Sequence, residues 1–241
     1  MPMLAPQGRV LAIDTPGYGG SDALPSPPTS MADYVAPLHA LLQAVAGPHC
    51  VIYGSATGAQ LAIAYATQHP QAVVHLMLDN AAHFDDAQRA AILARYFPDV
   101  TPRGDGSHLM AAWQMVAQMA EFFPWFMADE AHRVGTRQAT AAEVHAGVQE
   151  LLAAGPGWAL AYRCAFEHER AAHVMALKVP TTLCRWAASI LLPHIDRLLA
   201  HALPANVQVL QVPGAMPERF ATMTAHLAAL RAPPGTSPAS A

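Results

Sequence analysis

The sequence predicts an α/β fold: a mostly parallel sheet flanked by helices, with a helical segment inserted between two strands. Three observations predict it. Aliphatic runs of strand length recur at 9–14 (RVLAID), 49–53 (HCVIY), 73–78 (VVHLML), 181–186 and 207–212, continuously apolar as in strands buried on both faces. Helical patterns follow most of these runs, and such alternation sets strands parallel with helices on both faces. Between 82 and 176 the strand signal vanishes, and amphipathic stretches replace it at 85–97, 107–123, 140–153 and 158–173.

Taken in order, the run 9–14 leaves its sheet through a glycine-rich loop (TPGYGGSD), and 25–29 continue that loop. Ser30 and Asp33 have the spacing of a capping box, ahead of helical periodicity from 31 to 45. The run 49–53 breaks at Gly54, and a small-residue helix follows from 57 to 68. The run 73–78 ends in Asp79-Asn80. These boundaries divide the chain into a core at 1–81, a helical lid at 82–176, a second core part at 177–231, and a proline-rich tail at 232–241 too poor in apolar residues to pack. No internal repeat is present.

The chain has 241 residues, 53% hydrophobic and 12% charged, with a formal net charge of -4. That size buries a substantial core. No basic field exists to hold nucleic acid or anionic lipid, so a small-molecule ligand or substrate is the expected partner, and oligomeric state is open. Mean hydropathy is +0.21, but His, Gln, Asp or Arg interrupts every apolar run short of the ~20 residues that span a bilayer. With no secretory pattern at the N-terminus, the cytoplasm is the expected location. Cys50, Cys164 and Cys184 are widely spaced in apolar sequence and read as buried free thiols.

The stretch Tyr53-Gly54-Ser55-Ala56-Thr57-Gly58 stands between a predicted strand and a predicted helix. Two glycines bracket Ala56, because side chains next to a strained tip would clash with strand and helix. Ser55 and Thr57 then flank the tip. With RVLAIDTPGYGGSD (9–22), AIAYATQHPQAVVHLMLDNAA (62–82) and KVPTTLCRW (178–186), in that order, the chain resembles the α/β-hydrolase superfamily.

That resemblance implies a hydrolase of small, mostly apolar ester- or amide-like substrates, needing no cofactor or metal. It makes GSATG a nucleophile elbow with Ala56 at the nucleophile position, where a methyl group is inert. It also implies an acid after the strand ending at Trp186, where Ala187-Ala188-Ser189-Ile190 holds no carboxylate and Asp196 stands further on. The family's histidine follows the last strand, where this chain has Met216, with His226 deep in the next helix. Only eight residues precede Arg9, so the family's first strands and the loop carrying its second oxyanion N–H are expected to be missing.

Asp79, at a strand's end, is a candidate alternative acid and His83 the local acid-base candidate; a plain strand-to-helix loop explains 79–86 equally. His108 and Trp113 are candidate ligand contacts on the lid, although Ser107 as a helix N-cap explains Gly104–His108 more simply. Met115, Met119, Phe122, Phe123, Trp125 and Phe126 have the spacing of lid packing or of a pocket wall. His168-Glu169 and His173 miss the zinc-protease spacing by one residue, which on a helix turns the rings apart. Gly17-Tyr18-Gly19-Gly20 lacks the dinucleotide spacing. Three functional readings follow: an enzyme whose chemistry has moved to His83, Asp79 or an activated water, a catalytically silent binding protein, and a truncated gene product.

Overall fold

The computed structural model describes residues 8–135 and 137–230. Its centre is a four-stranded parallel sheet in the order β1 (Cys50–Ser55), β2 (Val73–Asp79), β3 (Thr181–Trp186), β4 (Val207–Val212). Tyr53 registers with Met77, Leu78 with Leu183, and Cys184 with Leu210, so the carboxyl ends of the strands line up along one edge. Between them run α1 (Val35–Val45), α2 (Thr57–Gln68), α3 (Asp86–Arg95), α4 (Ser107–Met119), α5 (Ala141–Ala153), α6 (Leu160–His168), α7 (Ala171–Met175), α8 (Leu192–Leu199) and α9 (Met216–Ala229).

Residues 75–79 of β2 are buried, His75 and Asp79 among them, while Val74 ahead of them is exposed. Leu76, Leu78 and Leu183 pack with Ile63 and Tyr65 of α2 and Val35 of α1 into one core. A second core fills the helical segment between β2 and β3, where Phe84, Tyr96, Phe123, Trp125 and Phe166 gather around Met115. Phe123, Trp125 and Met115 thus pack internally, while Phe122 and Phe126 lie beneath the guanidinium groups of Arg133 and Arg95.

The local capping chemistry follows the sequence at several points. The Asp33 carboxylate accepts the Ser30 N–H, and a short 3-10 turn at Met31–Tyr34 leads into α1. Asp85 caps α3 by accepting the Gln88 N–H, and Thr140 with Glu143 closes a capping box on α5. Ser107, expected as the cap of α4, is instead its first residue: Gly106 at φ 73 holds the cap position and Asp105 accepts the Ser107 N–H.

Two expectations are corrected. Residues 9–14 form no strand: the segment runs irregularly, with Leu11 and Ile13 each 38% exposed, and β1 pairs only with β2. An apolar run becomes a strand only where a neighbour takes its N–H and C=O groups, and none lies beside this one among the described residues. The helix expected over 158–173 breaks at Glu169, where α6 ends. That break lets the His168 and His173 rings stack with centroids 3.9 Å apart, reversing the expectation that they turn apart. The tail at 232–241 lies outside the described residues.

Cys164 and Cys184 are buried free thiols, whereas Cys50 is half-buried. No helix among the described residues is long and apolar enough to cross a membrane.

Candidate functional site

β1 turns into α2 through Ala56, which adopts φ 50 and ψ −116 and stands exposed at the tip. Such a backbone is strained for any residue with a side chain. The strain is held by neighbours: the Ala56 N–H donates to the Asp79 carbonyl at 3.0 Å, while the Ala59 N–H donates to the Ala56 carbonyl. A Cβ on Gly54 would stand 2.3 Å from the Gly58 carbonyl oxygen, so only glycine fits there. A Cβ on Gly58 would meet nothing within 4 Å, which corrects the expectation that both glycines are sterically required. Ser55 and Thr57 flank the tip, and among the described residues neither hydroxyl meets an imidazole.

Asp79 lies at the adjacent strand end and is fully buried. One carboxylate oxygen, Oδ2, accepts from the Tyr53 hydroxyl at 2.7 Å and from Arg219 Nη2 of α9. The Arg219 guanidinium also stacks on Trp186, 4.0 Å from Cζ to the ring centroid. Asp79 Oδ1 and Arg219 Nε are buried without partners. Burial and the neighbouring Asp79 charge push the Tyr53 hydroxyl well above its usual range, so it stays a proton donor to Asp79. Next along the chain, Asn80 adopts φ 55 and its Oδ1 accepts from the Ser189 hydroxyl at 2.6 Å, tying the ends of β2 and β3.

The other expected groups lie elsewhere. Asp196 is spent on Arg185, which it holds through both oxygens at 2.6 and 2.8 Å. Met216 opens α9 half-exposed, and His226 points back to Thr182 near the start of β3, away from the strand's carboxyl end. His83 turns toward α7 and the end of α8: its Nδ1 accepts the Ala171 N–H and its ring meets His201 edge-on. Burial holds the His83 pKa below its ordinary value. His108 Nδ1 accepts the Arg103 N–H in the loop before α4, and Trp113 lies on the outward face of α4. The structure therefore brings Ala56 and Asp79 together, with Ser55 and Thr57 beside them, and makes no direct contact from His83, His108 or Trp113 to that pair.

Tyr53, Arg219, Trp186 and Ser189 escaped the sequence reading. Arg219 meets Asp79 across 140 positions, and a lone arginine in an amphipathic helix carries no local sign of that contact. Glu169 was equally hidden. Its Oε1 accepts the Ala82 N–H at 3.0 Å and Gln60 Nε2 at 3.3 Å, one helical turn from Ala56, and burial pushes its carboxyl up to about 8. Tyr18 ties the glycine loop to the helical segment, donating to the Trp158 carbonyl at 2.6 Å. Among the described residues no group of three or more His, Cys, Asp or Glu is gathered as for a metal ion.

A strand, a strained tip, a helix and a parallel sheet in this order have a counterpart among known proteins. The family described as alpha/beta hydrolase fold matches residues 1–133, more than half of the chain. The chain belongs to the α/β-hydrolase-fold family. Over 80 residues it is 36% identical to epoxide hydrolase 3 of Xenopus tropicalis, a match covering 31% of this chain and only 21% of that protein. Among solved structures it is similar to a hydrolase from Pseudomonas aeruginosa PA01, with TM-score 0.63 and 21% identity over 95% of this chain and 80% of that one. It is also similar to a serine-to-alanine variant of the meta-cleavage product hydrolase from Pseudomonas fluorescens IP01, with TM-score 0.59 and 16% identity over 95% and 81% of the two chains. A thermophilic esterase from Thermogutta terrifontis has TM-score 0.59 and 18% identity over 91% and 79%. At these identities the solved structures support the α/β-hydrolase fold alone.

Proposed function

We propose that this α/β-hydrolase-fold protein takes small, mostly apolar ester- or amide-like compounds at the carboxyl ends of its strands and holds them without acyl transfer. In this reading the turn at Ala56 is the family's nucleophile elbow with its nucleophile lost, and the helical segment at 82–176 is its lid. The observation that carries it is the exposed Ala56 methyl at a tip whose strained backbone is kept. Covalent hydrolysis needs an attacking atom there and an imidazole to take its proton. Asp79, the carboxylate beside the tip, is engaged by Arg219 and Tyr53 instead of by an imidazole. The free N–H groups that open α2 remain suited to a ligand's carbonyl oxygen, because a helix N-terminus attracts partial negative charge.

The test is rapid mixing with a short-chain activated ester, together with titration of the matching unreactive amide. The expected result is amide binding with no burst of product, and Ala56→Ser alone should not create one. A burst stoichiometric with protein from the unaltered chain would overturn the reading and return the protein to the working hydrolases.

A further inference from the structure

The loop ahead of α4 holds the one Asp-Gly pair in the sequence, Asp105-Gly106, with Gly104 on its other side. Asp105 is exposed, and a Cβ on Gly104 or on Gly106 would meet nothing within 4 Å. No packed atom has to move for the Asp105 carboxyl to react with its own backbone. Its Oδ1 accepts the Ser107 N–H at 3.0 Å, an arrangement that folds the carboxyl back along the chain past Gly106.

The Gly106 nitrogen then stands in reach of the Asp105 Cγ. Its N–H donates to the Arg103 carbonyl at 3.1 Å, a bond in a surface loop that opens readily because water replaces either partner. Attack forms a new C–N bond and closes a five-membered succinimide, while one carboxyl oxygen leaves as water with the carboxyl and amide protons. A second water opens the ring at one of its two carbonyls. Breaking the bond from the Gly106 nitrogen to Cγ restores aspartate. Breaking its bond to the Asp105 main-chain carbonyl carbon leaves the chain running through the side chain as isoaspartate, one methylene longer and unchanged in mass.

A neighbouring residue supplies the comparison. Asp99 is also exposed and accepts the Thr101 N–H at 2.9 Å in the same kind of turn, but Val100 follows it and is buried. A buried β-branched residue shields its nitrogen and holds its backbone, and glycine does neither. We propose that Asp105-Gly106 is a modification site, where the backbone rearranges spontaneously to isoaspartate and becomes a substrate for an L-isoaspartyl carboxyl methyltransferase. The rearrangement displaces the acceptor of the Ser107 N–H, so the first turn of α4 at 107–110 loosens. Hydrogen bonds from Ser107, and less strongly the Arg103 charge, hold the Asp105 carboxyl below its usual range; His108 is the other titratable group of this loop. Ring closure needs the neutral acid, so it quickens as pH falls.

The experiment is ageing of the full chain at mildly acidic pH and body temperature. Aged samples receive methyl groups from S-adenosylmethionine through a purified isoaspartyl methyltransferase, and peptide mass spectrometry locates the label. Asp105→Glu and Gly106→Ala are aged in parallel, with Asp99 as the internal reference. The expected result is label at Asp105 that rises with age to at least tenfold above Asp99. Asp105→Glu, which would need a larger ring, should abolish it, and Gly106→Ala should cut it about tenfold. Gly106 stands at φ 73, so Asp105→Glu remains informative if Gly106→Ala distorts the loop. An Asp105 no more labelled than Asp99 overturns the proposal, as does label that persists undiminished in Asp105→Glu.

Discussion

Arg219, in the first turn of α9, donates to the buried carboxylate of Asp79 at the end of β2 while its guanidinium stacks on Trp186. This pair locks the last helix onto the carboxyl edge of the sheet, beside the tip that bears Ala56. Breaking one side of a buried pair leaves an uncompensated charge, at a cost of about 3–5 kcal/mol. Arg219→Met should therefore destabilise strongly in urea unfolding, and adding Asp79→Asn should recover part of the loss. A double variant as unstable as the sum of its two single variants would show that the two residues act independently.

The tip offers a second prediction. Ala56 at φ 50 carries strain that glycine does not, so Ala56→Gly is expected to stabilise by about 1 kcal/mol. Gly54→Ala must push into the Gly58 carbonyl and should cost about 3 kcal/mol. Gly58→Ala has open space within a helix and should stabilise by roughly 0.5–1 kcal/mol. Thermal unfolding of the three variants checks the order.

Glu169 predicts a loss of stability as pH rises from about 4.5 to about 8. Burial raises its folded carboxyl from 4.5 to about 8, so between those values the folded protein holds a proton that the unfolded chain has released. Stability contributed by this group is complete below about 4.5 and declines as pH rises to about 8. Glu169→Gln keeps an acceptor for the Ala82 N–H and cannot ionise. Its unfolding free energy should lose that slope, and an unchanged slope would exclude Glu169 as the source.

A third cluster acts in the opposite sense. Thr182 Oγ1 meets His75 Nε2 and His226 Nε2, each at 2.8 Å, and accepts from Gln208 Nε2 at 3.1 Å. A hydroxyl has one proton and two lone pairs, so one imidazole must accept while the other donates. Protonating both rings leaves three donors around two lone pairs. Burial, aided for His75 by the neighbouring ring, lowers both folded pKa values below 6.5. The stability this cluster contributes is present above about 6.5 and is lost as pH falls through it. Thr182→Val should cost about 1–3 kcal/mol near neutrality and weaken the acid-side slope. Unfolding measured across pH checks both effects.

The strands were legible where an apolar run stops at a strong local signal. Thr181–Trp186 and Val207–Val212 match their sequence limits, and Val73–Asp79 differs by one residue. Residues 9–14 have the same composition and form no strand, because strand identity belongs to a pair of segments and not to one. Ala56 was legible at the tip because Gly54 excludes any side chain by contact with its own turn, a constraint confined to five consecutive residues. Arg219 and Glu169 were not, since their partners stand 140 and 87 positions away.

The parallel α/β class, the helical segment between β2 and β3, and the methyl group at the turn could all be read from the chain alone, because each rests on periodicity or sterics within a few neighbours. That Asp79 is held by Arg219 and Tyr53, that Glu169 is buried against Ala82, and that Trp113 faces outward followed only from the folded arrangement. Those outcomes depend on which distant groups share a small desolvated volume, and burial and charge pairing are set only when the helices have closed over the sheet.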